Sequence, residues 1–249
     1  MLIFLLACTE PTDGVIAVDG GQYWMVIPEG AELSGPVLLH LHHSGDGEGM
    51  AAESAVVEGL TAAGLVGIFP DGGGEPGDDW NVGINKDDIP RDDTTFLAAV
   101  ADDLRARGAG TLWLGGGSKG GAMSWEMACL GEPAFDGYLP MMGAIEAPLP
   151  HDCTNDPAPI RHLQGTTDDR WPLNTADDPD SSHMGIIDSF KELTTAADGC
   201  MDAEPVIEGD CQVWTGCPET AQLCFCDGGH SLPDDWVALQ AEGITALGG

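Results

Sequence analysis

The sequence predicts an α/β fold, a mostly parallel central sheet with helices on both faces. Short apolar runs of strand length alternate with amphipathic helical stretches along the 249 residues, which is the pattern of βαβ units. Near the middle, Thr111-Leu-Trp-Leu-Gly-Gly-Gly-Ser-Lys-Gly-Gly-Ala-Met-Ser-Trp-Glu-Met-Ala-Cys129 reads as a buried strand, a glycine-packed turn and a helix. Apolar content of 43% is ordinary for a globular chain long enough to bury a sizeable core.

Taken in order, Val15–Asp19 and Gln22–Pro28 have hairpin character around Gly20-Gly21. Pro36–His42 is a near-continuous apolar strand, as expected of a sheet covered on both sides. Gly49–Gly64 reads as one helix and Leu65–Pro70 as another buried strand. A long Gly/Asp-rich loop from Gly73 to Arg91 follows. Thr94–Arg107 is an amphipathic helix with Phe96, Leu97, Val100 and Leu104 on one stripe and Asp92-Asp93 at its positive end. Beyond the central turn, Gly137–Gly143 and Pro159–Gly165 are strands, Thr166–His183 a second long loop and Gly185–Ala197 a helix. Cys211–Thr215 and Gln222–Cys226 are strands, and Leu232–Ala246 closes as a helix. Residues 15–249 are expected to form a single domain.

The charge is extreme: 42 Asp and Glu against 8 Lys and Arg, a net −34. Such a field repels nucleic acid and anionic lipid surfaces and favours neutral over anionic substrates. Residues 1–8 end an apolar run too short to span a bilayer. Leu5-Leu6-Ala7-Cys8 resembles the end of a bacterial lipoprotein export signal, although no Lys or Arg precedes it. Cys8 is the expected lipid-bearing residue, residues 9–14 a short tether, and the membrane a partner only through that anchor. Five of the 8 cysteines lie after residue 199, a density typical of disulfides in an exported protein, and the seven besides Cys8 leave one thiol over. Their spacing has no C-x-x-C pair, which disfavours a zinc ribbon.

The turn Gly116-Gly117-Ser118-Lys119-Gly120 matches G-x-S-x-G, the pattern of a strand-to-helix elbow that presents a nucleophilic serine. Serine needs a histidine base and a carboxylate to orient that base. His230, in Asp227-Gly-Gly-His230, follows the Gln222–Cys226 strand, and Asp168, in Gln164-Gly-Thr-Thr-Asp168, follows the Pro159–Gln164 strand. All three lie just past strand ends, where ligand sites form in open parallel sheets. Asp169 is the competing acid. The same glycines fit a dinucleotide fingerprint, but that turn belongs in the first βα unit with an acidic strand end about twenty residues on, and neither holds. A phosphate-binding loop is excluded because Gly, not Ser or Thr, follows Lys119. No cofactor is implied.

These stretches resemble the polyhydroxybutyrate depolymerase and feruloyl esterase family of secreted α/β-hydrolases, with matches from Pro36 to Pro233. Leu41-His42 is similar to the family's Leu-His-Gly turn. Phe69-Pro-Asp-Gly72 with Trp80-Asn81 is similar to its Tyr-Pro-Asp-Gly…Trp-Asn stretch. Gly116–Met123 corresponds to its elbow, Gln164-Gly-Thr-Thr-Asp168 to His-Gly-Thr-x-Asp, and Gly228-Gly-His230 to Gly-Gly-His. The resemblance implies an α/β-hydrolase fold and an exported serine esterase with Ser118, His230 and Asp168 as a triad. It implies hydroxyalkanoate polyesters, feruloylated or acetylated polysaccharides, or aryl esters as substrates, and a Cys129–Cys153 pair. Two positions depart from the pattern: His43 stands for its glycine and Gln164 for its histidine. The oxyanion hole is expected from the amides of Lys119 and of His43 or Ser44. Lys119 is a cation at a helix N-terminus and calls for a neighbouring acid. His42, Trp80 and Trp171 are candidate pocket residues, Trp80 reading equally well as core. His162 and His183 read as ordinary strand or surface histidines. Two alternatives are weighed against the esterase: a metal-dependent hydrolase built on His40 and His42, which share a strand face, and a non-catalytic surface lipoprotein.

Overall fold

In the computed structural model the described residues are 14–43, 47–74, 79–83, 88–130, 135–146, 153, 158–177, 183–194 and 200–249. The apolar runs become strands β1 (Gly14–Val18), β2 (Gly21–Val26), β3 (Val37–Leu41), β4 (Val66–Pro70), β5 (Leu112–Gly117), β6 (Gly137–Met141) and β7 (Ile160–Gly165). They continue with β8 (Val206–Glu208), β9 (Cys211–Trp214) and β10 (Ala221–Cys226). They pair into one ten-stranded sheet ordered β1-β2-β4-β3-β5-β6-β7-β10-β9-β8. The run β4-β3-β5-β6-β7-β10 is parallel, and antiparallel pairs close both edges.

Every residue of β3, β4, β5 and β6 is buried, which is why their sequences are continuous apolar runs rather than alternating ones. The pleat then sorts alternate side chains to the two faces. On one face Val37, Leu39 and Leu41 join a core with Phe96, Val100, Trp125, Met127 and Phe190. On the other, Leu38 joins Val56, Leu60, Trp236 and Val237. The helices α3 (Asp93–Ala106), α4 (Lys119–Leu130) and α5 (Ile186–Thr194) thus cover one face. The pair α2 (Ser54–Ala63) and α6 (Trp236–Ala246) covers the other. α4 is buried on all sides from Gly120 to Cys129, as its sequence of small and apolar residues requires.

Three elements differ from the sequence expectation by more than a residue or two. The Gly49–Gly64 helix is two: α1 (Gly47–Ala52) packs on β2 and β4, while α2 packs on α6. One straight helix cannot meet both, and Glu53 turns extended (ψ 122°) between them. α6 begins at Trp236 rather than Leu232. β8 was not expected, because its three residues are exposed and leave no burial pattern to read.

Cys129 is bonded to Cys153, Cys200 to Cys217 and Cys211 to Cys224, leaving Cys226 as the unpaired thiol among the described residues. The bridges span 13 to 24 residues, a length for which each removes about 3 kcal/mol of chain entropy from the unfolded state.

The described parts of the long Gly73–Arg91 loop are organised by one carboxylate. Asp92 caps α3 by accepting the Thr94 and Thr95 amides. Asp93 instead turns inward, fully buried, and accepts the Gly73 and Asn81 amides (3.1 and 2.8 Å) and the Arg91 Nε (2.6 Å). Burial still pushes its carboxyl above the usual range against those donors. Removing it leaves the guanidinium and two amides without their acceptor. Asp93→Ala is therefore expected to lower the unfolding free energy by about 3–5 kcal/mol, read from the urea midpoint.

Candidate active site

β5 runs into α4 with a single residue, Ser118, between them. Its φ is +52°, a left-handed value that a non-glycine residue adopts at a cost of about 1–2 kcal/mol. Two backbone hydrogen bonds hold it there: Ser118 N–H donates to the Met141 carbonyl (3.0 Å), and the Ala122 N–H donates to the Ser118 carbonyl (2.8 Å). The glycines on either side are obligatory. A Cβ on Gly116 would lie 2.4 Å from the Gly120 oxygen, and one on Gly120 would lie 2.2 Å from the Leu41 oxygen.

The partner side chains come from two further strand ends. Asp168 follows β7 and His230 follows β10, and these strands are parallel neighbours whose last residues, Gly165 and Cys226, are paired. The loops beyond are stitched together by the Thr166 N–H to the Cys226 carbonyl and the Thr167 N–H to the Gly228 carbonyl, both 2.9 Å. His230 Nε2 then lies 2.8 Å from Ser118 Oγ, and His230 Nδ1 lies 3.0 Å from Asp168 Oδ2. The other carboxylate oxygen of Asp168 accepts the Arg170 and Trp171 amides (2.9 and 3.3 Å), and its side chain has no solvent exposure. An acceptor-only carboxylate at Nδ1 fixes the tautomer with the proton on Nδ1, leaving Nε2 to accept the serine hydroxyl proton. The acid in contact is Asp168; Asp169 is exposed.

Gln164 sits where the resembled family carries histidine, and it does two jobs. Trp125 Nε1 donates to His162 Nδ1 (3.3 Å), so His162 carries its proton on Nε2 and donates it to Gln164 Oε1 (3.0 Å). Gln164 Nε2 in turn donates to the Trp171 carbonyl (3.1 Å), which pins the loop bearing Asp168. His162 is thus a working part of a buried chain rather than an ordinary strand residue. Burial holds its pKa down at about 4.

Lys119 finds the compensating acid its position demands. Its ammonium lies 2.7 and 2.9 Å from the two oxygens of buried Glu146. Its backbone amide is the first of α4, whose leading N–H groups have no acceptor within the helix. His43 follows β3, and desolvation, then the nearby His230, hold its imidazole below the usual range. Ser44 lies outside the described residues, as does Cys8.

Ser118, His43 and His230 face a cavity of about 570 Å3 also lined, among the described residues, by Met142, Arg170, Ser231 and Leu232. The three expected pocket residues lie elsewhere. Trp80 is completely buried, and its Nε1 donates to the His42 carbonyl (2.9 Å). His42 is buried against it and accepts the Gly72 amide at Nε2 (3.1 Å). Both brace the backbone just before His43 instead of lining the cavity. Trp171 is 5% exposed and stacks on His183 at 4.0 Å, so His183 too is a packing partner. The wall residues that sequence reasoning missed had one usable signal: Arg170 lies two residues after Asp168, and Ser231 and Leu232 directly follow His230.

His40 and His42 have separate partners. His40 bonds Gln240 on α6 through Nδ1 (3.1 Å) and packs against Trp236 with the rings tilted by 34°, with burial holding its pKa at about 3. Among the described residues no three His, Cys, Asp or Glu side chains gather as a metal-ligand set.

No protein-family model matches the sequence, and no curated protein matches it. Solved structures do. An acetyl xylan esterase from Aspergillus awamori superposes with a TM-score of 0.60 at 14% identity, covering 88% of this chain and 94% of that one. The esterase PE8 gives 0.51 at 18% identity, covering 90% and 97%. An alpha-beta serine hydrolase homologue from Coxiella burnetii gives 0.50 at 16% identity, covering 95% and 97%. With the sheet order described above, these likenesses show that the fold is that of the α/β-hydrolases.

His40 and His162 bind protons in the unfolded chain near pH 6.5 and only near pH 3 to 4 when folded. Their folded pKa values are depressed, so the unfolded state holds more protons below pH 6.5 and stability falls as the pH drops from there. Between pH 6.5 and 4.5 each is expected to remove about 2 kcal/mol. Urea unfolding against pH, with histidine NMR showing His40 and His162 still neutral at pH 5, checks this.

Proposed function

We propose that this protein is an exported serine hydrolase of carboxylic esters. The observation that carries the reading is the continuous contact from Ser118 Oγ through His230 to Asp168 at the mouth of a cavity. In the reaction, Ser118 Oγ attacks the ester carbonyl while His230 Nε2 takes its proton, and Asp168 stabilises the imidazolium that results. The tetrahedral oxyanion is met by the Lys119 amide and by that of His43 or Ser44. His230 returns its proton to the departing alcohol. Water, deprotonated by the same imidazole, then hydrolyses the acyl-enzyme and frees the acid. No metal or cofactor takes part.

Within this class the motif resemblance supports the polyhydroxybutyrate depolymerase and feruloyl esterase group, and the acetyl xylan esterase likeness supports an ester of a polysaccharide or other large neutral alcohol. A charge of −34 favours uncharged esters in long-range encounter. Three disulfides support an oxidising compartment outside the cytoplasm, and no helix among the described residues is long and apolar enough to cross a membrane. Attachment, if the chain is held at a surface, is proposed to run through lipid on Cys8.

A panel of nitrophenyl, feruloyl and hydroxybutyrate esters tests the proposal. At least one ester is expected to turn over, insensitive to EDTA. Ser118→Ala and His230→Ala should each lower kcat by about 10^4-fold or more, and Asp168→Asn by about 10^4-fold. Turnover that survives Ser118→Ala and stops with chelator would overturn it.

A further inference from the structure

In a chain with 8 Lys and Arg against 42 acids, the position of each cation carries information. Arg91 is paired with Asp93, Arg105 with Asp136, Arg107 with Asp103, Lys119 with Glu146 and Lys191 with Asp188. Arg161 donates to the Leu239 carbonyl and the Cys224 sulfur. Arg170 differs from these. Among the described residues no carboxylate or carbonyl meets its guanidinium, and its single hydrogen bond is the backbone one to Asp168.

That bond fixes the backbone of Arg170, whose side chain is solvent-exposed. The Arg170 N–H donates to Asp168 Oδ1 at 2.9 Å, so the residue is fixed beside the acid that holds His230. From there it forms part of the same cavity wall as Ser118 Oγ. Asp168 itself does not satisfy the guanidinium, being occupied by His230 and two amides. Beside His43 and His230, the wall supplies apolar surface from Met142 and Leu232 and a hydroxyl from Ser231. A guanidinium is a rigid fork of five donors matched to a carboxylate, which it binds bidentately. In a wall with Met142 and Leu232, it suits a ligand with a short hydrocarbon stem and an acid group.

We infer that Arg170 is a specificity-determining residue that binds a carboxylate on the substrate, and that the preferred esters are acid-bearing, such as half-esters of dicarboxylic acids. This runs against the preference for neutral esters that net charge alone suggests. Charges on the surface beyond about 8 Å are largely screened at physiological salt. A cation in contact with the substrate therefore outweighs carboxylates spread over the rest of the molecule.

The inference rests on the ester-cleaving reading of Ser118, His230 and Asp168, so binding is measured apart from turnover. The mono-4-nitrophenyl ester of adipic acid and 4-nitrophenyl hexanoate differ in a terminal carboxylate against a methyl group. The ratio of their kcat/KM values is expected to fall about tenfold in Arg170→Gln, mainly through KM for the adipate ester, and to be partly kept by Arg170→Lys. An unchanged ratio in Arg170→Gln, whether both rates fall or neither does, overturns the inference, since a loop-positioning role would affect both esters alike. Calorimetry of monomethyl adipate against methyl hexanoate on Ser118→Ala protein, one ligand with a free carboxylate and the other without, separates the two readings. Monomethyl adipate binding that requires Arg170 with no turnover of either nitrophenyl ester by wild type upholds the anion subsite and sinks the esterase. Ester turnover with no preference for monomethyl adipate over methyl hexanoate in binding sinks the subsite alone.

Discussion

The structure depends on how closely β5, α4 and the end of β3 approach one another. Gly120 lies so near the Leu41 and His42 carbonyls that no side chain fits, and Gly116 lies as near to the Gly120 carbonyl. With both positions reduced to backbone, the one residue between strand and helix must turn through a left-handed conformation. That turn lifts Ser118 Oγ out of the sheet while the first amides of α4 stay beside it. The local strain is held by global packing: α4 is buried around its whole circumference and cannot relax outward.

The other two side chains meet the serine because sheet order brings their strands together. β7 and β10 are far apart in sequence but adjacent and parallel, with ends at one level. Two backbone hydrogen bonds then join the loops before either functional side chain is involved. The buried relay from Trp125 through His162 and Gln164 to the Trp171 carbonyl fixes the acid loop from below. Its polarity is consistent at every link, which is what lets a line of polar groups sit in a core without an unpaired donor along it.

Much of the fold was legible because the central strands are covered on both faces and so appear as unbroken apolar runs. What escaped was decided by tertiary contact. Nothing local says that the Gly49–Gly64 stretch must break at Glu53; the two packing directions do. β8 lies at an exposed edge and carries no burial pattern. Asp92 and Asp93 look alike as charges at a helix start, yet one caps α3 and the other turns inward to hold a loop. At the site, Ser118, Asp168 and His230 could be picked out since each sits at a strand end marked by glycine or by a short motif. The pocket walls could not. A tryptophan in a Gly/Asp-rich loop does not reveal which way it faces, and Trp80 faces inward to hold the His42 carbonyl. Arg170 was hidden by its neighbours, two acids that drew attention to themselves.

The bridge between Cys211 and Cys224 has a mechanical consequence. These two residues are directly opposed in the β9–β10 ladder, and β10 ends at Cys226, four residues before His230. The outermost strand, β8, leaves Val206 and Ile207 exposed at 49% and 66% and pairs with β9 on its inner side. Fraying or shear that begins at this free margin travels inward through β9 until it reaches a covalent link. It stops there, and the strand that carries the histidine keeps its register while the edge beside it moves.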